Sequence, residues 1–180
     1  MFSIAPFNSL RDFVEYIVQH GSKKLCPSRC LNCGKAGLRC HGYYPRKADR
    51  ENHGAHSLNP ILIPRFFCPS CRHTCSVLPQ CISPRRWYLW AVQQITLLLI
   101  TLEHSWRYIE KKVPPVRSTI KRWNNRFKNM LPLHKLHLLS RFPELGRNVG
   151  EFCIFWKACL EQMSLSQAML WVHCAGEIIP

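Results

Sequence analysis

Carboxylates are scarce in this chain of 180 residues, with 10 Asp+Glu against 25 Lys+Arg. Between residues 21 and 100 the only two are Asp49 and Glu51, and neither sits in a protease or deaminase motif. Chemistry that needs paired carboxylates, or a catalytic zinc beside an acid, lacks its parts in that region. Long apolar runs are missing as well. The longest, residues 87–102, is broken by Gln93, Gln94, Thr96 and Thr101, and it falls short of the roughly 20 residues that a bilayer core demands. It reads as a buried helix, and no membrane partner is expected. The first ten residues lack a basic segment followed by an apolar one, so no secretory leader is expected. There is no internal repeat and no low-complexity tract.

Positive charge is present in excess, at a formal +15, and it is unevenly placed. Residues 21–140 hold 21 Lys+Arg and 4 acids, a net of 21 − 4 = +17, while residues 1–20 and 141–180 each come to −1. With 47% hydrophobic and 11% aromatic residues, the chain has the apolar surface that a disordered basic tail lacks. A folded protein whose middle attracts polyanions is the consequence, and counterion release makes DNA the favoured partner.

Eleven cysteines form an odd set, eight of them within residues 26–82. An odd number without a leader points to a reducing cytoplasmic compartment, where close cysteines bind metal or fill cores instead of bridging. Two pairs share one spacing: Cys30-Leu31-Asn32-Cys33, followed by Gly34, and Cys68-Pro69-Ser70-Cys71. Two intervening residues let both sulfurs of a pair face one point across a tight turn. Two such knuckles make the tetrahedral four-cysteine set of structural zinc, so one Zn2+ is expected on Cys30, Cys33, Cys68 and Cys71. Cys26, Cys40, His41, Cys75, Cys81, His53, His56 and His73 surround them, and are read as core fillers or strand caps, with a second metal as the alternative.

Four regions follow from pattern. Residues 1–25 carry a short amphipathic helix with Leu10, Phe13, Val14, Ile17 and Val18 at helical spacing behind Asn8-Ser9. Residues 26–82, rich in Cys, Gly and Pro, suit strands and turns and form the zinc-ribbon domain. Residues 83–131 turn helical, and Pro132 closes that stretch. Residues 132–180 form a C-terminal helical region, with a turn at 146–150 and helices at 151–163 and 165–174. Cys153, Cys159 and Cys174 lie on or near its apolar faces and are read as packing residues. The expected class is α+β: a small four-cysteine ribbon, then a mainly α-helical helix-turn-helix region and C-terminal helices.

Within residues 116–130, Ile120, Trp123, Phe127 and Met130 fall inside an arc of about 80° at 100° per residue. Arg117, Ser118, Lys121, Arg122, Asn125, Lys128 and Asn129 take the opposite side. A basic, amide-rich helix face fits the major groove of B-DNA, where Arg and Lys read guanine and Asn reads adenine. Ahead of it, residues 105–112 make a short helix that Pro114-Pro115 stops. Short helix, turn and basic amphipathic helix is the helix-turn-helix pattern. Arg117, Ser118, Lys121, Arg122, Asn125 and Arg126 are expected at the groove, and Lys111, Lys112 and Lys128 on phosphates.

These residues resemble a known family: the zinc-ribbon plus helix-turn-helix DNA-binding proteins of bacterial insertion elements, and the N-terminal regions of related transposases. The likeness rests on Cys30-Leu31-Asn32-Cys33-Gly34, Gly42-Tyr43-Tyr44-Pro45-Arg46, and the run from Ile63-Pro64-Arg65-Phe66-Phe67-Cys68 to Val77-Leu78-Pro79. It continues through Pro84-Arg85-Arg86-Trp87-Tyr88 and Ser118-Thr119-Ile120-Lys121-Arg122-Trp123, and spans residues 26–130. Cys75, where an aromatic is usual, and Pro114-Pro115 depart from the pattern.

The resemblance implies structural zinc on the four cysteines and DNA contact through the helix carrying Thr119 and Arg122. It also implies an accessory or regulatory role in transposition beside a separate transposase, at the nucleoid. It does not imply catalysis, since the acids after Glu110, namely Glu144, Glu151, Glu161 and Glu177, fall in helical segments and make no nuclease triad. No enzyme activity is expected. RNA or single-stranded nucleic acid, stacked on Tyr43, Tyr44, Phe66 and Phe67, is one rival function. A protein-interaction scaffold using the aromatic C-terminal helices is the other.

Overall fold

The computed structural model describes residues 1–48, 57–84, 88–148 and 151–176. Asp49, Glu51, His53, His56, Arg85, Arg86, Trp87 and Glu177, singled out above, lie outside them. The architecture is mixed α+β: among the described residues, a four-stranded sheet and seven α-helices. The chain divides into two compact units, Met1–Trp87 and Tyr88–Pro180.

The first unit is built on strands β1 (Phe2–Ala5), β2 (Arg39–Arg46), β3 (Ile61–Phe67) and β4 (Thr74–Pro79), in the order β1-β4-β3-β2. Pairing of β2 with β3 and of β3 with β4 is antiparallel, as short connections allow. β1 instead pairs parallel with β4, with Phe2 opposite Ser76. The sequence pattern does not announce β1, because four residues carry little periodicity and their partner lies seventy-odd positions away. β3 buries Ile61, Ile63, Pro64 and Phe66. Pro64 offers no N–H to the ladder, and the β2 register breaks between Cys40 and Tyr43, where Gly42 takes φ 81°. Helix α1 (Leu10–His20) starts at Ser9, whose side chain accepts the Asp12 N–H at 3.1 Å, and it buries Phe13. Cys75 packs as a small buried thiol with Ala5, Phe66 and Val77.

The second unit is all helical: α2 (Trp90–Thr101), α3 (Trp106–Lys112), α4 (Arg117–Asn129), α5 (Leu131–Arg141), α6 (Phe152–Gln162) and α7 (Leu165–Cys174). α2 packs against α3, α4, α6 and α7, which explains why its apolar residues run almost all round. Its Gln94 carboxamide accepts the Leu165 N–H at 2.8 Å, closing the start of α7. α4 ends at Asn129, and Pro132 belongs to the next helix. It sits in the first turn of α5, where its missing N–H has no helical partner to lose. A 3₁₀ segment, Pro143–Asn148, overlaps the start of the turn expected at 146–150, whose last two positions lie outside the described residues. No described helix is long and apolar enough to cross a membrane.

Candidate metal centre and basic helix

Each cysteine pair is wound into a knuckle by its own backbone. In the first, the Gly34 N–H donates to the Cys30 carbonyl at 2.8 Å, and the Cys30 N–H to that of Lys35 at 2.9 Å. In the second, the Arg72 N–H donates to Cys68 at 2.9 Å, and the Cys68 N–H to His73 at 2.9 Å. The two patterns are the same, offset by 38 positions. Both also need a left-handed residue after the second cysteine, Gly34 at φ 71° and Arg72 at φ 58°. Glycine adopts that conformation freely, whereas a residue with a Cβ is strained by roughly 1 kcal/mol or more.

The turn between β3 and β4 carries the second knuckle, and the segment before β2 carries the first. The sheet therefore brings together sulfurs that are far apart in sequence. Cys30 Sγ lies 3.6 Å from Cys71 Sγ, and Cys33 Sγ lies 3.7 Å from Cys68 Sγ. All four ligand atoms lie within 4.8 Å of one another. A disulfide would need about 2.05 Å. A tetrahedron of Zn–S bonds near 2.3 Å has edges of about 3.8 Å, which the two distances match. The four cysteines can hold one metal ion.

The protonation of the set leads to the same chemistry. Cys71 is lowered to about 6, first by the His73 backbone N–H, and Cys68 is lowered by the Cys71 backbone N–H. The Lys35 N–H draws Cys33 down, but desolvation and the three neighbouring sulfurs outweigh it, leaving Cys33 raised to about 11. Four thiolates cannot crowd one point without a cation among them, and a divalent ion removes that conflict.

The surplus candidates lie elsewhere. Among the described residues Cys30, Cys33, Cys68 and Cys71 are the one group with metal-binding geometry. Cys26 points its sulfur at the Leu38 carbonyl at 3.8 Å. Burial pushes Cys75 up and Cys81 up to about 11, as it does Cys159 to about 12. The His41 and Phe67 rings meet in a tilted arrangement with centres 5.7 Å apart. His73, which is exposed, donates from Nδ1 to the Cys71 carbonyl at 2.8 Å, with the Asn32 amide 3.5 Å from that nitrogen.

In the helical unit, α3 and α4 pack on each other and both touch α2, around Ile109, Val113 and Ile120 with Leu99, Ile100 and Trp106 against them. Ser105 caps α3 by accepting the Tyr108 N–H at 3.3 Å. α4 buries Ile120, Trp123, Asn124 and Phe127, while Ser118, Lys121, Arg122, Asn125, Lys128 and Asn129 are exposed and Thr119 and Arg126 half-buried. Lys111 and Lys112 are exposed at the end of α3, with Lys112 Nζ 5.6 Å from the Tyr108 ring centre. Lys128 Nζ lies 5.6 Å from that of Phe152.

Arg117 is tied down instead of open. Its backbone N–H donates to Glu110 Oε1 at 3.0 Å, and its guanidinium to Oε2 at 2.8 Å, which holds the Glu110 carboxyl below its ordinary range. Glu110 thus caps α4 from across the turn, at a spacing of seven residues that no helix periodicity marks. The aromatics proposed for base stacking divide. Phe66 is fully buried and cannot stack on anything outside, Tyr44 and Phe67 are half-buried, and only Tyr43 is exposed. Phe155 and Trp156 are likewise buried and present nothing to a protein partner.

Fold and site together define a two-unit α+β protein with a four-cysteine centre in the sheet unit and a basic helix in the other. The chain belongs to the family described as a domain of unknown function (DUF6431), whose model matches residues 30–123. That match runs from the first cysteine of the cluster to the buried Trp123 of α4. No curated protein and no solved structure matches the chain.

Proposed function

We propose that this protein is a zinc-stabilised, sequence-specific binder of double-stranded DNA, without enzymatic activity, acting as an accessory or regulatory product of a mobile element. The observation that carries the reading is α4, which buries Ile120, Trp123 and Phe127 and exposes Ser118, Lys121, Arg122 and Asn125 on one helix. Such a face carries the guanine-reading and adenine-reading side chains that a major groove accepts. The α3–α4 pair acts as the helix-turn-helix, with α2 as its apolar support and α4 as recognition helix. Glu110 and Arg117 position the start of α4, leaving Lys121, Arg122 and Asn125 for bases. Lys111, Lys112 and Lys128 take phosphates.

Zinc is the resident ion, supported by the all-sulfur donor set and the 3.6 and 3.7 Å edges. It is structural, holding β2, β3 and β4 in place through the two knuckles. The link to transposition and to a separate transposase rests on the likeness of residues 26–130 to insertion-element proteins, and the nucleoid is where such a protein works.

Selection of bound duplexes from a random pool, followed by anisotropy titrations, tests the reading. The pair Lys121→Ala and Arg122→Ala should weaken binding and flatten the salt dependence, with Arg122→Ala relaxing preference at one base position. Unchanged affinity and salt slope sink the recognition helix. Preference for single strands over duplex at fixed salt sinks the major-groove model in favour of base stacking at Tyr43.

A further inference from the structure

The knuckle end of the sheet carries more positive charge than a metal centre needs. Residues 21–48 hold Lys23, Lys24, Arg29, Lys35, Arg39, Arg46 and Lys47, residues 57–84 hold Arg65 and Arg72, and neither segment contains an Asp or Glu. Four of these nine gather around the cysteine cluster. Arg29 and Lys35 flank the first pair, Arg72 follows the second, and Arg39 begins β2 opposite Phe67, the neighbour of Cys68. All four are exposed, as are Asn32 and His73 on the knuckle tips. The side chains of Lys35, Arg39 and Arg72 make no hydrogen bond or ion pair within the described residues, and Arg29 reaches only the Gly34 carbonyl, at 3.3 Å.

Neutralising the centre does not account for them. Four thiolates around one divalent ion carry −2, so four cations leave 4 − 2 = +2 at the same spot. Arg72 adds a conformational argument. It occupies a left-handed position that its sister knuckle gives to Gly34, and its side chain is exposed. A strained residue of that kind persists at sites with a task to perform. Three of the four cations are Arg, whose planar fork suits phosphate oxygens.

We infer that the two knuckle tips form a second nucleic-acid site, in which Arg29, Lys35, Arg39 and Arg72 grip the phosphate backbone of the duplex. The inference rests on the DNA-binding reading and adds to it. α4 reads sequence, and the ribbon supplies affinity that is independent of sequence. Asn32 and His73 are exposed at the same tips.

The test uses the full chain with its metal and a selected duplex. Lys35→Ser combined with Arg72→Gly removes two cations without touching a sulfur, and glycine is the residue best suited to the Arg72 backbone. Metal stoichiometry should stay at one. The log–log salt slope should fall by about 2, so that the loss of affinity between about 50 and 200 mM salt shrinks about tenfold. The Lys121→Ala, Arg122→Ala pair is measured alongside. If that pair flattens the slope and the knuckle pair does not, the ribbon site is overturned and the recognition helix stands. If only the knuckle pair flattens it, the ribbon site stands and the helix reading fails. Equal, knuckle-dependent binding to polyglutamate overturns the assignment to nucleic acid, and no duplex binding by the parent chain overturns both.

Discussion

The two units solve the problem of a small core differently. Buried aromatics in Met1–Trp87 amount to Phe13 and Phe66 among the described residues, and two of its buried apolar side chains, Cys30 and Cys68, belong to the sulfur cluster. Tyr88–Pro180 buries Tyr88, Trp90, Trp123, Phe127, Phe152, Phe155 and Trp156. A thin sheet unit needs a staple, and a four-cysteine cluster able to hold one metal ion offers it. The helical unit needs none, because interlocking rings such as Phe127 and Trp156, 5.3 Å apart and edge to face, exclude water by themselves. Charge follows a related division: the sheet unit carries 13 − 4 = +9 and the helical unit 12 − 6 = +6.

The largest effect that separates the units is metal removal. Chelation, or Cys68→Ala, should unfold the sheet unit, since structural zinc sites are worth on the order of 10 kcal/mol. Five of the six tryptophans lie in the helical unit. Their fluorescence should therefore hold while sheet amides lose hydrogen-exchange protection. Simultaneous loss of both signals would break the contrast. The reverse experiment is Trp156→Ala, which leaves a cavity between Phe127, His134 and Phe155 and should cost the helical unit about 3–5 kcal/mol with metal stoichiometry unchanged.

A third, smaller effect comes from acid. His134 is fully buried between Phe127 and Trp156, neither ring nitrogen has a partner, and burial, helped by the nearby His137, lowers it to about 4. Its neutral form is the folded one, so the unfolded chain binds the extra proton. Stability is full above about pH 6.5 and is lost as pH falls toward 4, by about 3 kcal/mol in all. His134→Phe should flatten that part of the unfolding curve measured by tryptophan fluorescence, and an unchanged slope would remove His134 as the cause. The smallest effect belongs to the sheet unit. Arg72→Gly should raise its thermal midpoint, with a gain of up to about 1 kcal/mol from relief of the left-handed strain.

Local signals were readable where the physics is local. The Cys-x-x-Cys spacing makes a knuckle by its own turn, and Ser105, Ser9 and the apolar arc of α4 mark helices through contacts three or four residues apart. Readings failed where one residue serves two opposite purposes. Pro132 reads as a stop, yet proline is equally at home in a first helical turn, and α5 was hidden behind it. Phe66 and Tyr43 look alike as exposed stacking platforms until β3 takes the centre of the sheet and buries one of them. The partner of Arg117 was out of sight for another reason, since Glu110 reaches it across the turn between two helices.

The sequence by itself determined the two cysteine pairs, the placement of charge and the two faces of α4, because each depends on spacing within one turn or one helix. Tertiary structure decided which sulfurs meet, pairing Cys30 with Cys71 and Cys33 with Cys68 across 41 and 35 positions. It also decided that β1 joins β4, that His134 loses all contact with water, and that the two knuckles, each with basic residues beside it in sequence, meet. Those outcomes depend on chain segments closing over long separations, where the free energy lies in sheet pairing and burial and not in any pattern a single segment carries.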